Sequence, residues 1–141
     1  MTVKSDAKID RIKDLSLFGG ANAKALEHIA SVADEVTLKP GHVLIEQDHF
    51  HHEMFIIEKG TAEVTVDGEI VAEIPEGEAL GEVSFLAPGP SSATVRAATE
   101  LEVLVISYNH LQVVVDENPA MMLGIAKELA HRLRDMDERH R

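Results

Sequence analysis

The chain of 141 residues has no cysteine and no tryptophan, one tyrosine and four phenylalanines. Without cysteine there is no disulfide, no thiolate nucleophile and no cysteine-ligated zinc, which leaves His, Asp and Glu as the strong metal ligands. Cationic side chains are also scarce, with 13 Lys and Arg against 25 Asp and Glu and a formal charge of -12. A surface of that sign repels phosphate backbones and anionic bilayers, so direct DNA binding and membrane attachment are not expected. No apolar run approaches the ~20 residues of a membrane span, and the opening MTVKSDAKID lacks the apolar centre of an export signal. The expectation is a soluble cytoplasmic protein.

What is present suits one compact domain over residues 1–141, since 45% of the residues are hydrophobic. Residues 1–33 read as helical. Ile9, Ile12 and Leu15 recur at three-residue spacing, and Leu26, Ile29, Ala30 and Ala33 share one face behind Asn22, a capping residue, with LFGG (Leu17 to Gly20) as the break. Over residues 34–107 the period changes to two. EVTL, HVLIE, MFIIEKG, AEVTVDGEIVAEIP and ATVRAATELEVLVIS are β-rich runs separated by Pro40-Gly41, Lys59-Gly60, Asp67-Gly68 and Glu76-Gly77. They predict a small antiparallel barrel or jelly roll, with Asp67-Gly68 as a tight hairpin turn. Residues 108–141 return to the helical period, and Asn118-Pro119 places a capping side chain before a proline at the first helical position. Met122, Ile125, Ala126, Leu129, Leu133 and Met136 then form an apolar stripe that either packs on the domain or makes a homodimer seam.

The stretch ALGEVSFLAPGPSSATV, Ala79 to Val95, has the look of a loop built for an anion. Taken with LFGG…LEHIA, PGHVLIEQD, MFIIEKGTAEV, GEIVAEIPEGEALGEVSFL, PSSATVRAATELEVLVIS and LAHRLR, in that order, it resembles the cyclic-nucleotide-binding domain family of catabolite activator proteins, cyclic-nucleotide-dependent kinases and related channels. The resemblance covers nearly the whole chain. It implies an eight-stranded antiparallel β-roll with N-terminal helices and a C-terminal helix, and a phosphate-binding cassette at residues 77–95. A short helix near Gly81 would direct unpaired backbone amides at a cyclic phosphate. The ligand-binding residues implied are Gly81, Glu82, Val83, Ser91, Ser92 and Ala93, with Glu82 similar to the family's acidic residue for the ribose 2′-hydroxyl. The alternative for Glu82 is simple stabilisation of a first helical turn.

The chain departs from the family pattern at Ser91. The family's P-R-[SA]-A-T-V is here Pro90-Ser91-Ser92-Ala93-Thr94-Val95, with no phosphate arginine. A guanidinium makes bidentate, charge-assisted bonds to phosphate, whereas a hydroxyl offers one neutral donor. Loss of a charged hydrogen bond costs about 1.5–3 kcal/mol, so cyclic AMP or cyclic GMP is expected to bind weakly. Arg96 lies an odd number of strand positions from Ser91 and is expected on the opposite face. Chain end at Arg141 gives the further expectation that no DNA-reading segment follows and that little helix past Leu133 covers a purine.

Asp48-His49-Phe50-His51-His52-Glu53 gathers three of the eight histidines. In a jelly roll this invites comparison with cupin metalloenzymes, which resemble G…HxHxxxE…G followed by PxGxxH. Here Gln47 stands at the first histidine position and Leu80 at the last, so a polar surface loop is the expectation and a cupin-like metalloenzyme the weaker alternative. No serine falls in a motif pairing it with a histidine base. The sequence therefore points to a non-catalytic sensor module with no cofactor and no metal, or to a degenerate module serving as a protein-interaction scaffold.

Overall fold

In a computed structural model the chain is described over residues 3–139; the first two and last two residues of the expected domain lie outside the described residues. In chain order the elements are α1 (Val3–Lys13), a 3-10 turn (Ser16–Phe18), α2 (Ala23–Val32), β1 (Asp34–Leu38), β2 (Val43–Ile45), β3 (Glu53–Lys59), β4 (Ala62–Val66) and β5 (Glu69–Ile74). There follow β6 (Ala79–Leu80), α3 (Glu82–Leu86), β7 (Thr94–Ala97), β8 (Leu101–Ser107), α4 (Tyr108–Glu117) and α5 (Ala120–Arg139). They form two compact units, a β-unit of residues 33–108 and a helical unit of residues 3–32 and 109–139.

In the β-unit all strands pair antiparallel, in two four-stranded sheets ordered β1-β8-β3-β6 and β2-β7-β4-β5. This is the eight-stranded roll. Ile45, Phe55, Ile57, Ala62, Leu80, Val95, Ala97, Leu101 and Val103 make its buried cluster. Phe55 and Ile57 on β3, and Leu101 and Val103 on β8, are two residues apart, as the period of a strand requires for side chains on one face. Full burial of a side chain of this size contributes about 1.5–3 kcal/mol. Met54 and Ile56 are buried as well, so β3 is covered on both faces, which is why MFII reads as a run and not an alternation. At Asp67 and Gly68, φ is 51° and 85°, and Val66 pairs with Glu69 across them. The expected tight hairpin is formed. The run ATVRAATELEVLVIS is divided between the two sheets as β7 and β8, and the two-residue β6 had no periodic signal of its own.

In the helical unit, Asn22 Oδ1 accepts a hydrogen bond from the Ala25 N–H at 2.8 Å and caps α2 as its sequence position predicts. The LFGG corner is a contact surface: a methyl added to Gly124 of α5 would lie 2.9 Å from the Gly20 nitrogen. The expected side-chain cap by Asn118 is not formed. Its N–H donates to the carbonyls of Val114 and Val115 at 3.0 and 3.1 Å, closing α4, and its carbonyl accepts from Met121 at 3.0 Å. Its side-chain nitrogen is buried without a partner. The expected apolar stripe on α5 is also split. Ile125 joins Met121 on a buried face, while Met122, Leu133 and Met136 are 37%, 63% and 52% exposed. No helix among the described residues is long and apolar enough to cross a membrane.

Candidate functional site

β6 runs into Gly81, whose φ of 99° and ψ of -2° open α3 from the left-handed region. Only glycine fits. Beyond the backbone cost of that φ, an added Cβ would stand 2.8 Å from the Glu53 carbonyl oxygen, 3.2 Å from Met54 Cα and 3.3 Å from the Tyr108 hydroxyl. No side chain caps α3, and the amides of its first turn lie at the positive pole of that turn. Glu82 is 3% exposed and, with Thr65, one of two buried polar residues among the described residues. Val83 beside it is 61% exposed, while its carbonyl accepts the Ala87 N–H at 2.7 Å.

The second stretch precedes β7. Residues 77–95 contain no Lys, Arg or His. The Ser91 hydroxyl donates to the Ala93 carbonyl at 2.7 Å and accepts from the Ala93 N–H at 3.3 Å, closing a local turn on itself. Ser92 is exposed and Ala93 half-buried. Arg96 stays with the sheet: it pairs opposite Glu63 in the β4–β7 register, with Nε 3.7 Å from the Glu63 carboxylate. The six sequence-predicted residues thus fall in two groups, Gly81, Glu82 and Val83 at the α3 corner and Ser91, Ser92 and Ala93 on the arm entering β7.

Sequence reasoning missed what joins these groups. In the loop of residues 46–52, His49 and His52 are exposed, as a surface loop requires, but His51 is half-buried. Its Nδ1 lies 3.2 Å from the Tyr108 hydroxyl, and that hydroxyl donates to the Gly81 carbonyl. The Tyr108 ring packs between His51 and Phe85, with centroids 5.8 and 5.4 Å away. The same loop holds the other arm: the Asp48 N–H donates to Ser91 O at 2.8 Å, and the Ser91 N–H to His49 O at 2.9 Å. Burial, reinforced by the Glu82 carboxylate and opposed by a hydrogen bond with Ser84, pushes the Tyr108 phenol up to about 12. The one signal in the sequence was a lone tyrosine directly after the last strand. Among the described residues no three His, Asp or Glu are grouped to hold a metal ion.

A family model described as the cyclic nucleotide-binding domain matches residues 35–118. The Pycsar effector protein BcPycTIR of Burkholderia cepacia is 28% identical over 127 residues, covering 89% of this chain and 42% of that protein. The sensor domain of the transcriptional regulator DNR from Pseudomonas aeruginosa superposes with a TM-score of 0.80 at 16% identity, over 95% of this chain and 93% of that one. The regulatory domain of Toxoplasma gondii PKA, crystallised with cAMP, gives 0.77 at 16% identity, over 91% and 50%. The chain spans less than half the length of the curated relatives it matches. With the roll, the glycine-led corner and the family match on the same residues, the chain belongs to the cyclic nucleotide-binding domain family.

Proposed function

We propose that this chain is a non-catalytic regulatory sensor whose segment 77–95 takes cyclic AMP or cyclic GMP weakly. The observation that carries this reading is the corner at Gly81, a left-handed residue opening a helix that no side chain caps, with the buried Glu82 beside it. Amides of the first turn face the phosphate and Glu82 accepts from a ribose hydroxyl. Weakness follows from chemistry, because the segment contributes no cation and the Ser91 hydroxyl is spent on Ala93.

That spent hydroxyl also supports a second reading, in which the roll is a scaffold for a protein partner and takes no nucleotide. In either reading the exposed apolar positions of α5, Met122, Leu133 and Met136, supply a surface for a second copy of the chain. Calorimetric titration with both nucleotides, on the parent chain and on Ser91→Arg, separates the readings. Restored charge–phosphate bonding tightens binding roughly ten- to a hundredfold in the variant. Binding in neither protein overturns the ligand assignment of the segment.

A further inference from the structure

The hydrogen bonds at the corner obey a strict proton count. Tyr108 has one hydroxyl proton, and it goes to the Gly81 carbonyl, so the Ser84 hydroxyl that also bonds the phenol donates to its oxygen. The contact at 3.2 Å to His51 Nδ1 is then a hydrogen bond only when the imidazole carries a hydrogen on Nδ1 and the phenol oxygen accepts it. The two bonds run in one direction, from imidazole to phenol to peptide carbonyl, and each polarises the next.

The end of that chain sets more than one oxygen. The Gly81 carbonyl and the Glu82 N–H belong to the same planar trans peptide, so fixing the oxygen fixes the direction of the N–H, which points the opposite way. Gly81 is the residue least able to hold that peptide unaided, since a glycine reaches its φ of 99° among many alternatives. Phe85, three residues into α3, rests on the same Tyr108 ring at 5.4 Å. α3 is therefore gripped near both ends by one side chain.

We propose that Tyr108 is a positioning residue: its hydroxyl, backed by His51, clamps the Gly81 carbonyl and thereby aims the Glu82 amide, the first of α3. The functional meaning of the clamp rests on the reading of residues 77–95 as the ligand segment, while the clamp itself exists without any ligand. Tyr108 is also the first residue of α4, so the grip is set where the chain leaves the last strand.

The test is amide hydrogen exchange on the unliganded full chain, comparing the parent with Tyr108→Phe, His51→Ala and His51→Asn. Phenylalanine keeps the ring against Phe85 and deletes the hydroxyl with its contacts to the Gly81 carbonyl, His51 and Ser84, so peptides over residues 81–86 exchange roughly three- to tenfold faster, with β4 and β7 unchanged. His51→Ala raises exchange in the same peptides. His51→Asn, which puts an amide donor where Nδ1 stood, returns it toward the parent. Unchanged exchange at residues 81–86 in Tyr108→Phe overturns the clamp, and so does an equal rise over β4 and β7, which is general loosening. Because no nucleotide is present, the clamp stands or falls separately from ligand binding.

Discussion

Tyr108 is the only phenol in the chain, so its ionisation is directly readable from ultraviolet absorbance. Its folded pKa of about 12 lies above the ordinary value of 10.0, with burial the largest cause. Native structure therefore favours the neutral phenol. The stability this contributes is fully present below pH 10 and is lost as pH rises through 12, because above 10 the unfolded chain releases the proton first. The urea midpoint is expected to fall across that window in step with phenolate absorbance. Its fall should be smaller in Tyr108→Phe. A phenol titrating at its ordinary value in the folded chain would contradict the buried geometry. Gly81, Glu82 and Ser91 stood out as candidates in the sequence because a glycine followed by an acid, and a missing arginine, are local patterns. His51 and Tyr108 were not. They lie 57 residues apart, and Tyr108 is 27 from Gly81, so their meaning appears only when the roll brings the loop, the last strand and the corner together.

At the scale of elements, local chemistry decided which boundaries could be read. Asn22 caps α2 through a single side-chain bond to Ala25, and replacing it with alanine leaves that N–H unsatisfied. Asn22→Ala is expected to lower unfolding stability by about 1 kcal/mol, measured by urea denaturation, while Asn22→Asp or Asn22→Ser retains most of it. Equal midpoints for parent and alanine variant would remove the cap from the account. The Asp67-Gly68 hairpin was likewise written in two residues that accept positive φ. The β7–β8 corner was hidden, since Ala98, Thr99 and Glu100 include no glycine or proline. It is closed from outside: the Ala98 and Thr99 N–H groups both donate to Thr61 O, at 2.9 and 3.3 Å, and the Thr61 N–H donates to Thr99 Oγ1 at 3.1 Å. A turn closed by the neighbouring β3–β4 connection leaves no mark in its own residues. Asn118-Pro119 marks the break between α4 and α5, but the side-chain cap it suggests is not formed, because the backbone of Asn118 makes the local bonds, its N–H to Val114 and Val115 and its carbonyl to Met121.

For the whole molecule the decisive quantity is where the charge sits. Between residues 34 and 107 only Lys39, Lys59 and Arg96 face fifteen Asp and Glu, so the entire formal charge of -12 belongs to the β-roll and the helical segments are balanced. Two copies meeting through their rolls repel, whereas α5 carries no such penalty. Its apolar positions Met122, Ala126, Leu129, Leu133 and Met136 alternate at spacings of four and three, the repeat of a two-stranded coiled coil. In a parallel pair that repeat sets Arg132 against Asp137 of the partner subunit, an attraction that an antiparallel pair does not reproduce. Sedimentation equilibrium is expected to show a concentration-dependent dimer for the parent and a monomer for Leu133→Glu. Leu133 is 63% exposed within one chain, so the substitution leaves the monomer's core intact, and the urea midpoint at low protein concentration should match the parent. A parent that sediments as a monomer at every concentration, or a Leu133→Glu variant that still dimerises, would take α5 out of the interface.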